Sequence, residues 1–156
     1  MSAADLETRL AAVGLSLPEA AAPAANYLPF VRSGTALFVS GQISQWEGEL
    51  IRGKLGQGMT ADEGAASAQS CALYLLAQVK AALKGDFGRL KRVVKLTGFV
   101  NSAPDFRDHP KVINGASDLL VALLGEDVGA HARSAVGVAA LPLGVAVEIE
   151  GVFEVE

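Results

Sequence analysis

The sequence predicts an α+β fold in which a mixed β-sheet carries two long helices on one face and follows a short N-terminal helix. After that helix, apolar residues recur with strand or helix periods in the order β-β-α-β-α-β-β. The first long helix has an inward face rich in alanine, and small residues allow a helix to approach a sheet closely. A length of 156 residues suits one domain with a substantial core.

The N-terminal segment is predicted to be a helix over residues 2–13, in which Ser2 caps the first turn with Asp5. Its apolar face is expected to hold Leu6, Leu10 and Val13. A segment rich in proline and alanine follows and is typical of a stiff, extended connector. We therefore divide the chain into residues 1–26, the helix and connector, and residues 27–156, the main domain.

The elements of the main domain follow from turns, caps and periodicity. We expect strands at 30–32, 36–41, 93–101, 133–140 and 145–156, and long helices at 60–84 and 108–125. Thr60 and Glu63 form a capping box at the start of the first long helix. In the last strand, apolar and mostly polar residues alternate, which indicates one buried and one exposed face.

Composition argues against several classes of protein. The formal net charge is −4, whereas nucleic-acid-binding proteins normally present a basic surface. The charge-free stretch 134–147 is shorter than the roughly 20 apolar residues that a membrane span needs. A single cysteine, Cys71, and the lack of an export signal predict a cytoplasmic protein. The mean hydropathy of +0.34 is high for a soluble monomer, so we expect an oligomer.

Motifs for metal and phosphate binding are missing from the sequence. The two histidines, His109 and His131, lie far apart, and no Cys/His/Asp spacing is typical of a metal site. In the glycine-rich loop 53–60 the lysine precedes the glycines, so the loop is not a phosphate-binding P-loop. The N-terminus of the helix that follows this loop could attract an anion, but the sequence favours a flexible turn with an ordinary helix cap.

Arg133 is the first candidate functional residue. It begins a strand composed otherwise of Ser, Ala, Gly and Val, which leaves room for a ligand beside it. Its planar guanidinium suits bidentate capture of a carboxylate. The alternative is a surface arginine paired with Glu150 or Glu154.

Glu148 is the second candidate. It alternates with the apolar residues of the last strand, and by itself this predicts a solvated carboxylate. A two-residue turn at Pro142 and Leu143 would place Arg133 on the same face, about four residues away along the strand. A ligand could fill that gap, or the two side chains could belong to different subunits.

Three further residues have weaker support from the pattern alone. Asn114 lies in a predicted helix, where asparagine is mildly unfavourable unless it caps locally or faces a cleft. Ser40 and Gly41 end a strand, and the bare backbone of a glycine can approach a ligand closely. A plain strand end accounts for the same pair.

These residues belong to a larger pattern. The segments SGQI at 40–43, VIN at 112–114 and ARSAVGVAALPLGVAVEIE at 132–150 resemble the Rid family of reactive intermediate deaminases, also called the YjgF type and formerly labelled L-PSP endoribonuclease. The spacing Arg-Ser-x-Val-x-x-x-x-Leu-Pro before Val-Glu-Ile-Glu is specific. The resemblance covers residue 27 to the end, and residues 1–26 look like the extension of a longer subgroup.

The resemblance implies a chorismate-mutase-like fold, a homotrimer and a small-molecule cleft at each subunit interface. It implies hydrolysis of enamines and imines, such as 2-aminoacrylate and 2-iminopropionate, to a 2-keto acid and ammonia without a cofactor. Carried over by position, Arg133 would hold the substrate carboxylate and Glu148 would position the attacking water. Asn114, Ser40 and the Gly41 backbone would line the cleft.

Two departures from the family pattern affect this interpretation. We expect Phe30 at the position of the family's cleft tyrosine, and Ala135 stands where a cysteine is common. Loss of a hydroxyl at Phe30 would favour a second hypothesis, a non-catalytic module that binds small carboxylates such as 2-oxoacids. A ribonuclease is a third, which the acidic chain disfavours.

Overall fold

The computed structural model describes residues 1–23 and 25–156, so Ala24 of the predicted connector lies outside the described residues. The helices are α1 (Ala3–Ala12), α2 (Ala61–Ala82), α3 (His109–Leu124) and α4 (Glu126–Gly129). The strands are β1 (Phe30–Ser33), β2 (Ala36–Ile43), β3 (Gln45–Trp46), β4 (Glu49–Leu50), β5 (Lys54–Leu55), β6 (Gly58–Met59), β7 (Leu90–Asn101), β8 (Ala132–Val138) and β9 (Val147–Val155). The predicted α+β fold, with its order of principal elements, is confirmed.

The main sheet has five strands in the order β1-β2-β9-β7-β8. Strand β9 lies in the middle and pairs antiparallel with both β2 and β7. Strand β8 forms one edge and runs parallel to β7, so the sheet is mixed. The alternation predicted for the last strand holds throughout β9, where Val147, Ile149, Phe153 and Val155 are buried.

Helices α2 and α3 pack against each other and against one face of this sheet. The small residues predicted for the inner face of α2, including Ala68, Cys71 and Ala72, are fully buried. Gly115 of α3 shows how close the two helices come, because a Cβ at this position would lie 2.0 Å from the carbonyl oxygen of Ala65. The alanine-rich face of α2 therefore serves both helix–helix and helix–sheet packing.

Helix α1 extends the same core. Ser2 and Asp5 form the predicted capping box, and Leu6 and Leu10 are completely buried in the core cluster. Val13 instead caps the C-terminus and is 57% exposed, so its predicted place on the buried face is wrong. The division at residue 26 remains a prediction.

The sequence pattern missed the short elements and one pairing. The hairpin of β3 and β4, the pair β5–β6 and helix α4 are too short to establish a period. The segment between β8 and β9 does not join adjacent strands, because β7 lies between them. No helix of the described residues is long and apolar enough to span a membrane.

Candidate functional site

The Glu148 carboxylate lies over the backbone of Gly41, on the sheet face opposite the helices. Glu148 stands opposite Ile43 of β2, and the register of this strand pair shifts between Val39 and Gln42. A Cβ added to Gly41 would lie 2.0 Å from Oε1 of Glu148. The glycine at this irregularity in β2 is what leaves room for the carboxylate.

A cavity of about 650 Å³ opens beside this carboxylate. Ser40, Gly41 and Glu148 line it together, as the sequence predicted for three members of one site. Residues of the connector and the loop at Pro142 and Leu143 complete its walls.

Hydrogen bonds hold the connector in place as a wall of this cavity. The Ser40 hydroxyl donates to the carbonyl oxygen of Leu28 at 2.7 Å, and its backbone N–H donates to Pro29 at 3.0 Å. On the other side, the Gln78 amide of α2 donates to the carbonyl oxygen of Ala21 at 2.7 Å. Ser40 therefore fixes the wall of the cavity through its side chain.

The environment of Glu148 raises the pKa of its carboxyl group above that of an exposed glutamate. Burial raises the pKa of this half-buried carboxyl, and the neighbouring carboxylate of Glu150 raises it further. A carboxylate with a raised pKa is a better proton acceptor than an exposed glutamate. This is the electrostatic setting that a general base requires.

Arg133 lies at the other edge of the sheet, on the side of β8 that faces α3. Its Nη1 donates to the Ser117 hydroxyl and its Nη2 donates to the carbonyl oxygen of Pro110, both at 3.1 Å. The alternative pairing with Glu150 or Glu154 is absent from the ion pairs of the described residues. Two of the five N–H groups of the guanidinium have partners, and the others can serve a ligand.

Asn114 and Ala135 accompany Arg133 at this edge. Pro110, Asn114 and Ser117 are spaced at i, i+4 and i+7, which places them on one face of α3. Asn114 is exposed on that face, between the two residues that hold the guanidinium. Ala135 lies two residues beyond Arg133 in β8 and packs against the core on the same side.

The predicted site thus falls into two groups within one chain. Arg133, with Asn114 and Ala135, lies on the helix side of edge strand β8, whereas Glu148 points to the opposite side of β9. Strand β7 separates the two. The two-residue turn that would have placed Arg133 and Glu148 on one face does not form, because β8 and β9 are not neighbours. The alternative that the two side chains belong to different subunits stays open.

Phe30 lies away from the cavity beside Glu148, and its assignment to a cleft between subunits stays a prediction. Phe30 pairs with Val39 at the start of β1 and packs against the hydrophobic core. Tyr27, three residues earlier, lines the cavity beside Glu148. A tyrosine is therefore present at this cavity, three residues before the position at which the family pattern predicts one. The stretch between α1 and β1, which includes Tyr27, has no sequence period that could have indicated which of its side chains faces inward.

The glycine-rich loop 53–60 has a structural role. The ammonium group of Lys54 donates to the Asn101 side chain at 2.6 Å and to the carbonyl oxygen of Ala139 at 3.1 Å. Thr60 is occupied in the capping box with Glu63. These bonds tie the loop to β7 and to the segment after β8.

Comparison with known proteins places this arrangement among relatives. A family described as "YjgF/chorismate mutase-like, putative endoribonuclease" matches residues 7–151. The protein TCP17 of Trypanosoma cruzi is 52% identical over 143 residues, which cover 91% of this chain and 89% of TCP17.

Solved structures agree with this match. The protein Atu1372 of Agrobacterium tumefaciens is 44% identical, with a TM-score of 0.91 over 99% of this chain and 96% of that one. The YjgF gene product of E. coli is 28% identical, with a TM-score of 0.59 over 88% of this chain and 93% of that one. RidA of an Antarctic Psychrobacter is 27% identical, with a TM-score of 0.56 over 88% and 94%.

Proposed function

Because the chain belongs to the YjgF/chorismate mutase-like family, we propose that it hydrolyses reactive imines and enamines of small 2-amino acids to 2-keto acids and ammonia. The observation that carries this proposal is the pair of complementary groups described above. One is Arg133, whose guanidinium is held by two hydrogen bonds and has further N–H donors for a ligand. The other is Glu148, a half-buried carboxylate with a raised pKa beside a cavity.

The chemistry needs little more than these groups. The guanidinium of Arg133 binds the substrate carboxylate and so orients the C=N carbon. Glu148 accepts a proton from water as the oxygen attacks that carbon. Glu148 returns that proton to the nitrogen of the resulting carbinolamine, and the C–N bond breaks to release ammonia while the hydroxyl group loses its proton to Glu148 and becomes the keto oxygen. An enamine enters the same route after its carbon takes up a proton from water to give the imine.

The two groups meet only if different copies of the chain contribute them, and we propose a homotrimer with one cleft at each interface. Apolar side chains on the helix-free face of the sheet support this assembly. Val31, Phe38 and Val136 are between 43% and 49% exposed, although they alternate with core-facing residues in β1, β2 and β8. A second copy covering this face would remove apolar surface from water.

A direct assay tests the proposal. 2-Iminopropionate is generated by an excess of amino-acid oxidase, and the rate of pyruvate release is measured with and without the protein. We expect a rate that increases in proportion to protein concentration. A protein that binds pyruvate in calorimetry but accelerates no imino acid would instead be the non-catalytic module, and the deaminase proposal would fail.

Removing the Tyr27 hydroxyl is expected to lower kcat/KM about 5- to 10-fold, the cost of one hydrogen bond to the substrate or the attacking water. The variant Tyr27→Phe is compared with Phe30→Leu, which alters a core contact instead. We expect Phe30→Leu to lower the melting temperature and leave kcat/KM near the wild-type value. The opposite pattern would identify Phe30, and not Tyr27, as the cleft residue.

The rate should depend on pH through Glu148. Because burial and then Glu150 raise the pKa of this carboxyl, kcat/KM should rise with pH through a midpoint above that of an exposed glutamate. Glu150→Gln removes one neighbouring charge and should move that midpoint to lower pH. The pH profiles of kcat/KM are compared for the wild type and Glu150→Gln on the same substrate. Coincident profiles would show that the ionisation of Glu148 does not govern the rise of kcat/KM with pH.

A further inference from the structure

Arg133 is the end of a chain of side-chain hydrogen bonds that starts in the turn after α4. The His131 Nδ1 lies 2.6 Å from the carbonyl oxygen of Gly129, and its Nε2 lies 2.9 Å from the Ser117 hydroxyl. The same hydroxyl oxygen lies 3.1 Å from Nη1 of Arg133. The chain therefore links the turn after α4, helix α3 and strand β8.

The chemistry of these groups fixes the direction of each bond. A carbonyl oxygen can only accept, so Nδ1 of His131 carries a proton and donates to Gly129. In the neutral ring Nε2 is then an acceptor, and the Ser117 hydroxyl donates its hydrogen bond to it. The oxygen of Ser117 is left with lone pairs directed away from its proton, and one of them accepts from Arg133.

The far end of the chain is firmly anchored. Gly129 is buried and packs on α3 so closely that a Cβ there would lie 2.6 Å from the carbonyl oxygen of Leu120. The position of its own carbonyl group is therefore determined by helix packing. The bond from Nδ1 to this fixed carbonyl group holds the imidazole ring of His131, and the ring in turn holds the Ser117 hydroxyl through Nε2.

We propose that His131 and Ser117 are positioning residues for Arg133, which keep its guanidinium oriented to bind the carboxylate of a 2-imino acid or 2-oxoacid. This inference rests on the proposed function, because His131 and Ser117 orient the arginine that the proposed function assigns to substrate binding. His131 directs the Ser117 proton away from the guanidinium, so the serine oxygen always accepts from Arg133. Without His131 the hydroxyl rotates freely, and Arg133 loses a fixed partner on one side.

Binding of pyruvate, measured by titration calorimetry without turnover, tests this inference. We expect His131→Ala and Ser117→Ala each to weaken pyruvate binding about 5- to 10-fold, as the loss of one positioned hydrogen bond would. The double variant should bind about as well as either single variant, because both residues act through one chain. His131→Gln, whose side-chain oxygen can accept from Ser117, should recover part of the affinity, whereas His131→Leu should not.

The chain supplies a matched control in its other histidine. His109 Nε2 lies 3.0 Å from the Ser102 hydroxyl, so this pair too has one member on α3, and its bond does not involve Arg133. We expect His109→Ala to leave pyruvate affinity unchanged. In steady-state assays His131→Ala should raise KM and leave kcat within about twofold, since Arg133 binds the carboxylate and transfers no proton.

Several outcomes would overturn the inference. They are additive losses in the double variant, equal losses in His109→Ala, full affinity in His131→Ala, or a wild-type protein that binds no 2-oxoacid. Failure of the deaminase proposal looks different, because it appears as pyruvate binding by the wild type without acceleration of imine hydrolysis.

Discussion

Arg133→Ala is expected to weaken pyruvate binding and to lower kcat/KM about 100- to 1000-fold, because two charge-assisted hydrogen bonds to the substrate carboxylate are lost. The side chain contributes the donors that Ser117 and Pro110 do not occupy. Arg133→Lys keeps the charge but not the planar fork, so its loss should be intermediate. Calorimetry gives the affinity and the coupled assay gives kcat/KM.

Arg32→Ala provides the control for this experiment. Like Arg133, Arg32 lies in an edge strand of the main sheet. It donates to two backbone carbonyl groups, those of Gly34 and Glu156. It lies on β1, at the opposite edge from Arg133. We expect it to leave pyruvate affinity unchanged. Equal losses in the two variants, or none in Arg133→Ala, would rule out Arg133 as the carboxylate clamp.

Glu148→Gln is expected to lower kcat about 100- to 10,000-fold with a smaller effect on KM, which is the range for loss of a general base. The amide has nearly the same shape but cannot accept the proton from water. Gly41→Ala changes the position of the same carboxylate and leaves its chemistry intact. The new Cβ would lie 2.0 Å from Oε1 of Glu148, so the carboxylate would have to move. A Glu148→Gln variant with wild-type kcat would exclude this residue as the base.

The same substitution should stabilise the protein at neutral pH. The folded state raises the pKa of Glu148, so it binds the carboxyl proton more tightly than the unfolded chain does. Ionisation therefore costs stability as pH rises through the unfolded pKa, and the cost is complete above the folded pKa. Glu148→Gln should have a higher melting temperature than wild type at neutral pH, and the difference should vanish in acid.

Arg133→Ala and Glu148→Gln, combined in one oligomer, test whether each cleft is built from two subunits. Each alone is expected to be inactive. Co-expressed in equal amounts, Arg133→Ala and Glu148→Gln chains should assemble at random, so that about one cleft in four over all trimers combines an intact Arg133 with an intact Glu148. Recovery of about a quarter of the wild-type rate supports the composite cleft. No recovery in verified mixed oligomers would contradict it.

Local signals account for the parts of the fold that the sequence predicted. The capping residues Ser2 and Thr60 mark two helix starts, and the alternation in β9 identifies its buried face. The relation between Arg133 and Glu148 escaped prediction because periodicity reports which side of a strand is buried, not which strand lies next to it. Tyr27 was not predicted because the stretch between α1 and β1 has no sequence period.

The central place of β9 has a consequence for how the molecule folds. Ala36 of β2 pairs with Glu154 of β9, so the middle of the sheet joins segments separated by most of the chain. Contacts so distant in sequence require closing a long loop before they contribute, and chains dominated by them fold slowly. Until β9 docks, the apolar edges of β2 and β7 stay open to pairing with other chains. The strand that carries Glu148 is thus also the one that covers these two edges of β2 and β7 and so protects them from pairing with other chains.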